Sequence, residues 1–385
     1  MSDLLLFRPI PYEDETAASL LIRAAEENGY GSVYQLLSGA GILINEPTLR
    51  ACIVDTTRFE NLVRSLGLTK SAAALALARL NPSRRSPRRY REMLIEDNCF
   101  RHDEASAFCS ACLNERQYWR QQWLIRPFSA CARHQLLLLD RCCVCSHVPA
   151  IGRGQLTRCT RCGTSFLTMS GAPTNIDSIS AVEEMVAAGD AESLKLVLEF
   201  WAALARFDWQ EDQPASEYFR LELSIAYLRG EVAVVDHVAA QVTRRLPSLH
   251  PRIQLVHFLS GSGSLVAFAE KILARVPPLP QIGDGNPRLS QLSKGEVCRI
   301  LRLSAAQLTH LISSGELRWP TCDGRQQKIA TTEVEYHLHG FTQSEREYGS
   351  LGAFNVPVHR YDRLVRRVCQ EKKSATSARD EKLTS

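Results

Sequence analysis

Eight of the chain's 13 cysteines fall within the 54 residues from Cys109 to Cys162, and their spacing limits what this region can become. Four pairs share a two-residue gap: Cys109/Cys112, Cys131/His134, Cys142/Cys145 and Cys159/Cys162. Such a gap lets both members of a pair converge on one tetrahedral ion. Taken in order, the pairs predict one site of Cys109, Cys112, Cys131 and His134 and another of Cys142, Cys145, Cys159 and Cys162. An interleaved pairing is less economical. In "DRCCVCSH" either Cys142 or Cys143 can partner Cys145, and the two-residue gap favours Cys142. A disulfide scaffold fits poorly, because such scaffolds are short secreted chains with a signal sequence.

Two sets of four ligands leave no coordination position open for water. Closed sites of this kind are structural, and catalytic zinc keeps a vacancy. Two structural Zn²⁺ ions are therefore expected, each worth about 10–16 kcal/mol of apparent folding free energy. No chemistry is expected of them. "HDE" at His102 to Glu104 precedes "CSAC" and has the look of a zinc deaminase signature. The four intervening residues are too few to bring separate helices together around one pocket. No "GK" dipeptide occurs, which excludes a Walker A loop.

Charge is distributed unevenly. The chain carries +4 overall, whereas residues 81–170 hold 14 Arg, no Lys and 7 acidic residues. Seven thiolates and two Zn²⁺ would reduce that local excess to about +4. The densest piece, "NPSRRSPRRYR", contains Arg84, Arg85, Arg88, Arg89 and Arg91. Its prolines argue against a helix, so it reads as a solvated linker able to touch phosphates. No apolar run approaches the roughly 20 residues of a membrane span. The first residues lack a basic segment and a cleavage site, which predicts a cytoplasmic protein.

Outside the cysteines the pattern is helical. In "YEDETAASLLIRAAEENGYGSVYQLLSGAG", Ala17, Leu20, Leu21, Ala24 and Ala25 recur at helical period. Asp14 or Thr16 can cap the start, Asn28-Gly29 marks the stop, and Ser32 caps a second helix. "EPTLRACIVDTTRFENLVRSLG" and "TKSAAALALARL" continue the pattern. Helices resume after "GAPTNIDS", and Met185, Phe200, Trp201 and Trp209 read as core. "SGSGS" at Ser260 to Ser264 reads as a turn.

"LSKGEVCRILRLSAAQLTHLISSGELRWP" holds two capping boxes, Ser293 with Glu296 and Ser304 with Gln307. Val297, Ile300, Leu301, Leu308, Leu311 and Ile312 supply facing apolar stripes, and Gly315 supplies a stop. It resembles the helix-turn-helix of excisionase-like domains. The second helix offers Gln307, Thr309, His310, Ser313 and Ser314 but no Arg or Lys, which favours protein docking over base reading.

The expected fold class is mainly α with small zinc-ribbon or zinc-finger elements. A helical, helix-turn-helix-like domain spans 1–95, a tandem zinc-binding region 96–172 and a helical domain 173–285. A second helix-turn-helix domain spans 286–369, and 370–385 reads as a disordered tail.

Three stretches in this order resemble the TniQ family of transposon target-selection proteins: "RPIPYEDETAASLLIRAAEENGYG", "FCSACLNERQYWRQQWLIRPFSACARHQLLLLDRCCVCSH" and "CTRCG". They cover Arg8 to Gly163. The opening and "NGYG" look most like the TniQ of type I-F CRISPR-associated, RNA-guided transposons. That resemblance implies a homodimer docked on a Cascade complex, beside the subunit holding the CRISPR RNA hairpin and the adjacent backbone subunit. It further implies recruitment of an AAA+ transposition regulator and a transposase, with the eight ligands named above holding zinc. The alternative is a sequence-specific DNA-binding protein that recognises an attachment site directly. "FCSAC" and "CCVCS" depart from the family's usual proline and glycine positions. Tyr118, Trp119 and Trp123 are expected to pack as a small core over the first site.

Overall fold

The structure is a computed structural model. It describes residues 5–82, 86–101, 107–207, 214–245, 251–259, 261–276, 291–292, 294–301, 303–313, 317 and 329–330. Contacts divide the chain into two compact units, Met1–Ala202 with Gln210–Arg229, and Ala203–Trp209 with Gly230–Ser385.

The first unit opens with helix α1, Ala17–Glu27. The Thr16 hydroxyl accepts from the Ser19 amide at 3.0 Å, so Thr16 rather than Asp14 caps it. Asn28 ends the helix and Gly29 follows at φ +75°, a left-handed position that costs glycine little. Ser32 caps α2 (Val33–Gly39), Asn45 caps α3 (Glu46–Ile53) and Asp55 caps α4 (Thr56–Ser65). The expected continuation through "TKSAAALALARL" is instead a short 3₁₀ helix, Lys70–Leu75. Its two buried residues, Ala72 and Leu75, are three apart, and three-residue turns stack such a pair on one face.

The basic stretch departs furthest from its expected role. Strands β1 (Arg88–Tyr90) and β2 (Met93–Ile95) pair as an antiparallel hairpin, with Arg88 opposite Ile95 and Tyr90 opposite Met93. The period of two turns Arg88 inward with Tyr90, Met93 and Ile95. Arg88 is buried, stacks 4.5 Å from the Phe100 ring centroid and donates from Nε to Asp97 Oδ1 at 2.7 Å. Arg79 Nε reaches the same oxygen at 2.9 Å. Arg88 is therefore a buried structural cation and not a solvated phosphate contact. Arg84 and Arg85 lie outside the described residues, and Arg89 and Arg91 are exposed.

Helix α5 (Ser110–Glu115) and the short antiparallel strands β3 (Ala130–Cys131) and β4 (Leu136–Leu137) carry the first cysteines. One buried cluster holds Leu20, Leu21, Leu36, Leu49, Phe59 and Leu62 together with Phe108, Trp119, Trp123 and Phe166. The opening helices and the cysteine region thus share a core. Backbone bonds stitch it: Thr16 N donates to Trp119 O at 2.8 Å, Gln121 N to Asp14 O at 2.7 Å and Val33 N to Gly152 O at 3.1 Å. At Gly154 an added Cβ would lie 2.3 Å from the Gly31 carbonyl, so only glycine permits that approach.

Helices α6 (Asp177–Ala188), α7 (Ala191–Phe207) and α8 (Pro214–Leu228) follow. Glu217 of α8 is buried between Arg101 and Arg126, with nitrogen–oxygen distances of 2.5 and 2.8 Å. Trp201 is core, as expected, and donates from Nε1 to Glu217 O at 3.0 Å.

The second unit contains α9 (Val232–Arg245), α10 (Pro251–Gln254), α11 (Val256–Leu259) and α12 (Gly263–Leu273). Strand β5 (Gln291–Leu292) pairs with β6 (Ile329–Ala330), and between them lie α13 (Lys294–Leu301) and α14 (Ala305–Ser313). The two helices pack together through buried Val297, Ile300, Leu301 and Leu308, and Leu303 N closes the turn on Cys298 O at 2.8 Å. Trp209, Ser260, the Ser293 cap, the Gly315 stop and the tail 370–385 lie outside the described residues. The described architecture is mainly helical, with small two-stranded sheets.

Candidate metal centres

Three of the four ligand pairs are built by the same backbone turn. The amide four residues after the first member closes on that member's carbonyl: Gln135 N to Cys131 O at 2.8 Å, and Ser146 N to Cys142 O and Gly163 N to Cys159 O at 2.9 Å each. The closing residue has positive φ every time, +54° at Gln135, +56° at Ser146 and +72° at Gly163. Such a turn aims both ligands at one point. The fourth pair differs because Leu113 N bonds Cys109 O within a chain that continues as α5.

The turns bring together Cys109, Cys112, Cys131 and His134 in one cluster, and Cys142, Cys145, Cys159 and Cys162 in another. Within each, the ligand atoms all lie within 4.8 Å of one another. The sequential pairing is realised and the interleaved one is not. Cys142 is buried inside its cluster, whereas Cys143 is exposed. The turn from Cys142 to Ser146 is the reason, since it directs Cys142 alone toward Cys145.

Edge lengths test the fit. A tetrahedral Zn²⁺ with sulfur at about 2.3 Å and nitrogen at about 2.0 Å sets ligand–ligand edges of about 3.5–3.8 Å. In the first cluster Cys112 Sγ is 3.6 Å from Cys131 Sγ, and His134 Nδ1 is 3.6, 3.3 and 3.5 Å from Cys109, Cys112 and Cys131. In the second, Cys142–Cys162 and Cys145–Cys159 are both 3.6 Å. Both clusters fit structural zinc.

The electrostatics agree. Hydrogen bonding from Cys112 and then Cys131 pulls the Cys109 thiol down to about 3 against the effect of burial, and the reciprocal bonds with Cys109 and Cys131 push Cys112 up. In the second cluster the Thr164 hydroxyl, 3.2 Å away, and the Thr164 amide pull Cys162 down to about 6. The His147 amide favours the Cys145 thiolate, but burial and bonds with Cys162, Cys159 and Cys142 prevail and push it up to about 12. Sulfurs this close resist ionising together, and a divalent cation at their centre removes that resistance.

Trp119 and Trp123 share a buried cluster with Cys109, Cys112 and Cys131, as expected, whereas Tyr118 packs on the opening segment instead. Trp119 and Trp123 are each 1% exposed, with no face left for stacking a base. Phe108 lies 5.0 Å from Trp119 and 4.8 Å from Phe166, and the Arg153 guanidinium sits 4.3 Å over Trp119. Tyr118 stacks on Tyr12 at 4.3 Å and donates to Asp14 Oδ1 at 2.7 Å. Glu115, which spacing did not single out, contacts His134 Nε2 at 3.1 Å. The deaminase-like "HDE" lies outside the described residues.

The acidic opening is occupied within the fold. Asp14 also accepts from Arg120 at 2.6 Å, and buried Glu15 accepts from Arg23 at 2.8 Å and Ser19 Oγ at 2.7 Å. In the second helix-turn-helix, Thr309 donates to Ala305 O at 2.8 Å and Ser313 is exposed. The side chains of Gln307, His310 and Ser314 lie outside the described set. No helix among the described residues is long and apolar enough to cross a membrane.

No curated protein matches the chain. The family match stops short of the second cluster, so "CCVCS" and "CTRCG" fall beyond it. Residues 6–138, which hold α1 to β4 and the first cluster, match the TniQ family model and are similar to that family's domain.

Proposed function

We propose that this chain is a zinc-stabilised adaptor for target-site selection in DNA transposition. The family match over residues 6–138 carries the reading, because TniQ proteins serve transposition without being its catalysts. Cys109, Cys112, Cys131 and His134 hold one Zn²⁺, and Cys142, Cys145, Cys159 and Cys162 hold the other. Closed sites stiffen a docking platform and leave no vacancy for a reacting group.

At the finer level, the chain works in the cytoplasm as a homodimer on a Cascade complex and recruits an AAA+ regulator and the transposase. This rests on the resemblance of the opening and "NGYG" to the type I-F CRISPR-associated proteins, and on a second helix-turn-helix whose second helix lacks Arg and Lys. The test is a pull-down with and without Cascade and its guide RNA, run beside binding to naked duplex DNA at several salt concentrations. Guide-dependent co-purification is expected. Tight, steeply salt-dependent binding to duplex without Cascade would replace the adaptor with a direct reader of an attachment site.

A further inference from the structure

We infer that Glu115 is a positioning residue for the first metal centre, locking the ring of His134 so that Nδ1 faces the ion. The inference rests on the assignment of Cys109, Cys112, Cys131 and His134 as zinc ligands. His134 directs Nδ1 at three sulfurs, 3.3–3.6 Å away, and turns Nε2 outward to Glu115 Oε1 at 3.1 Å. A ligating imidazole is neutral, so with Nδ1 on the metal its proton sits on Nε2. That N–H donates to the carboxylate, which fixes the tautomer, holds the ring plane and raises the basicity of Nδ1.

The carboxylate is itself held. Its other oxygen, Oε2, lies 3.1 Å from Arg133 Nη2, so Glu115 spans the guanidinium and the imidazole of neighbouring residues. Glu115 ends α5, the helix that carries Cys112, whereas His134 belongs to the turn that begins at Cys131. The contact therefore fastens one half of the site to the other across 19 residues of chain. Although about a third of the Glu115 side chain is exposed, its two contacts define its orientation. The second cluster contains no histidine and has no equivalent, which makes it an internal reference.

The experiment uses the full-length, zinc-loaded protein with Glu115→Ala and Glu115→Gln. Zinc release to a chromophoric chelator is followed, and the His134 side-chain N–H is observed by ¹⁵N NMR. Glu115→Ala should weaken one of the two zinc sites by about 10–100-fold and leave the other unchanged. The His134 Nε2–H should exchange faster with solvent. Glu115→Gln keeps an accepting oxygen and should restore slow exchange, which a merely structural defect would not do. Equal release and equal exchange in wild type and Glu115→Ala would overturn the positioning role while the zinc assignment stands. Wild-type protein without zinc at the first cluster would overturn the ligand assignment and the inference with it, and His134 bound through Nε2 would overturn the inference while leaving His134 a ligand.

Discussion

Glu217 offers the sharpest test of how the first unit is held together. Its carboxylate is 1% exposed and meets Arg101, 6% exposed, at 2.5 Å and Arg126, 14% exposed, at 2.8 Å. The Arg101 contact is a close ion pair without hydrogen-bond alignment, and Arg126 Nε donates properly to Oε1. Glu217→Gln keeps the shape and deletes the charge, leaving two largely buried guanidinium groups facing a neutral amide. At charge separations of about 4 Å and an effective dielectric near 20, each pair is worth about 4 kcal/mol before desolvation. Removing one partner from a buried pair costs about 3–5 kcal/mol. Arg126 is partly compensated by its position 5.3 Å from the Trp201 ring, so the lower half of that range is expected. The assay is urea unfolding of zinc-loaded protein followed by circular dichroism, with zinc content checked before each run. A loss of about 3 kcal/mol with both zinc ions retained supports the reasoning. A loss below about 1 kcal/mol would refute it, because the pair would then behave like a solvent-screened surface bridge.

Cys112→Ser should release about one zinc per chain and, because Cys112 belongs to the same buried cluster as Leu20 and Leu36, should also lower hydrogen-exchange protection in α1 and α2. Cys143→Ser, at an exposed position, should retain both ions by elemental analysis. Asp97 gives a pH signature. Burial pushes its carboxyl up, but the bonds and charge of Arg88 and then Arg79 prevail and hold it below 3.8. The lowered value stabilises the fold above the ordinary carboxylate range, and the gain is lost as pH falls through the folded value. Asp97→Asn should therefore cost about 2 kcal/mol at pH 7, and the gap from wild type should narrow below about pH 4 in parallel urea titrations.

Local chemistry was legible in the sequence. Thr16 and Ser32 were readable as helix starts because their side-chain oxygens satisfy amides three residues on, which needs no partner from elsewhere; Asn45 and Asp55 do the same for α3 and α4, although the helical pattern there did not single them out. Ligand pairs were legible for the same reason. The turns at Cys131 and Cys142 were less so, because Gln135 and Ser146 adopt positive φ without the glycine that signals it at Gly163.

Charge pairing was the least legible feature. Composition presented Arg88 as one cation in a basic run, while its fate depended on a strand turning it toward Asp97, nine residues away. Glu115 was hidden likewise, since its partner stands 19 residues on.

The sequence by itself thus determined which residues could hold two metal ions, which of them form two-residue-gap pairs and where the first two helices begin, because each depends on spacings of two to four residues. Only the tertiary structure decided that the opening helices and the cysteine region share one core and that the acidic opening binds its own fold. Burial and charge pairing are set by contacts between distant segments, and spacing along the chain does not encode them.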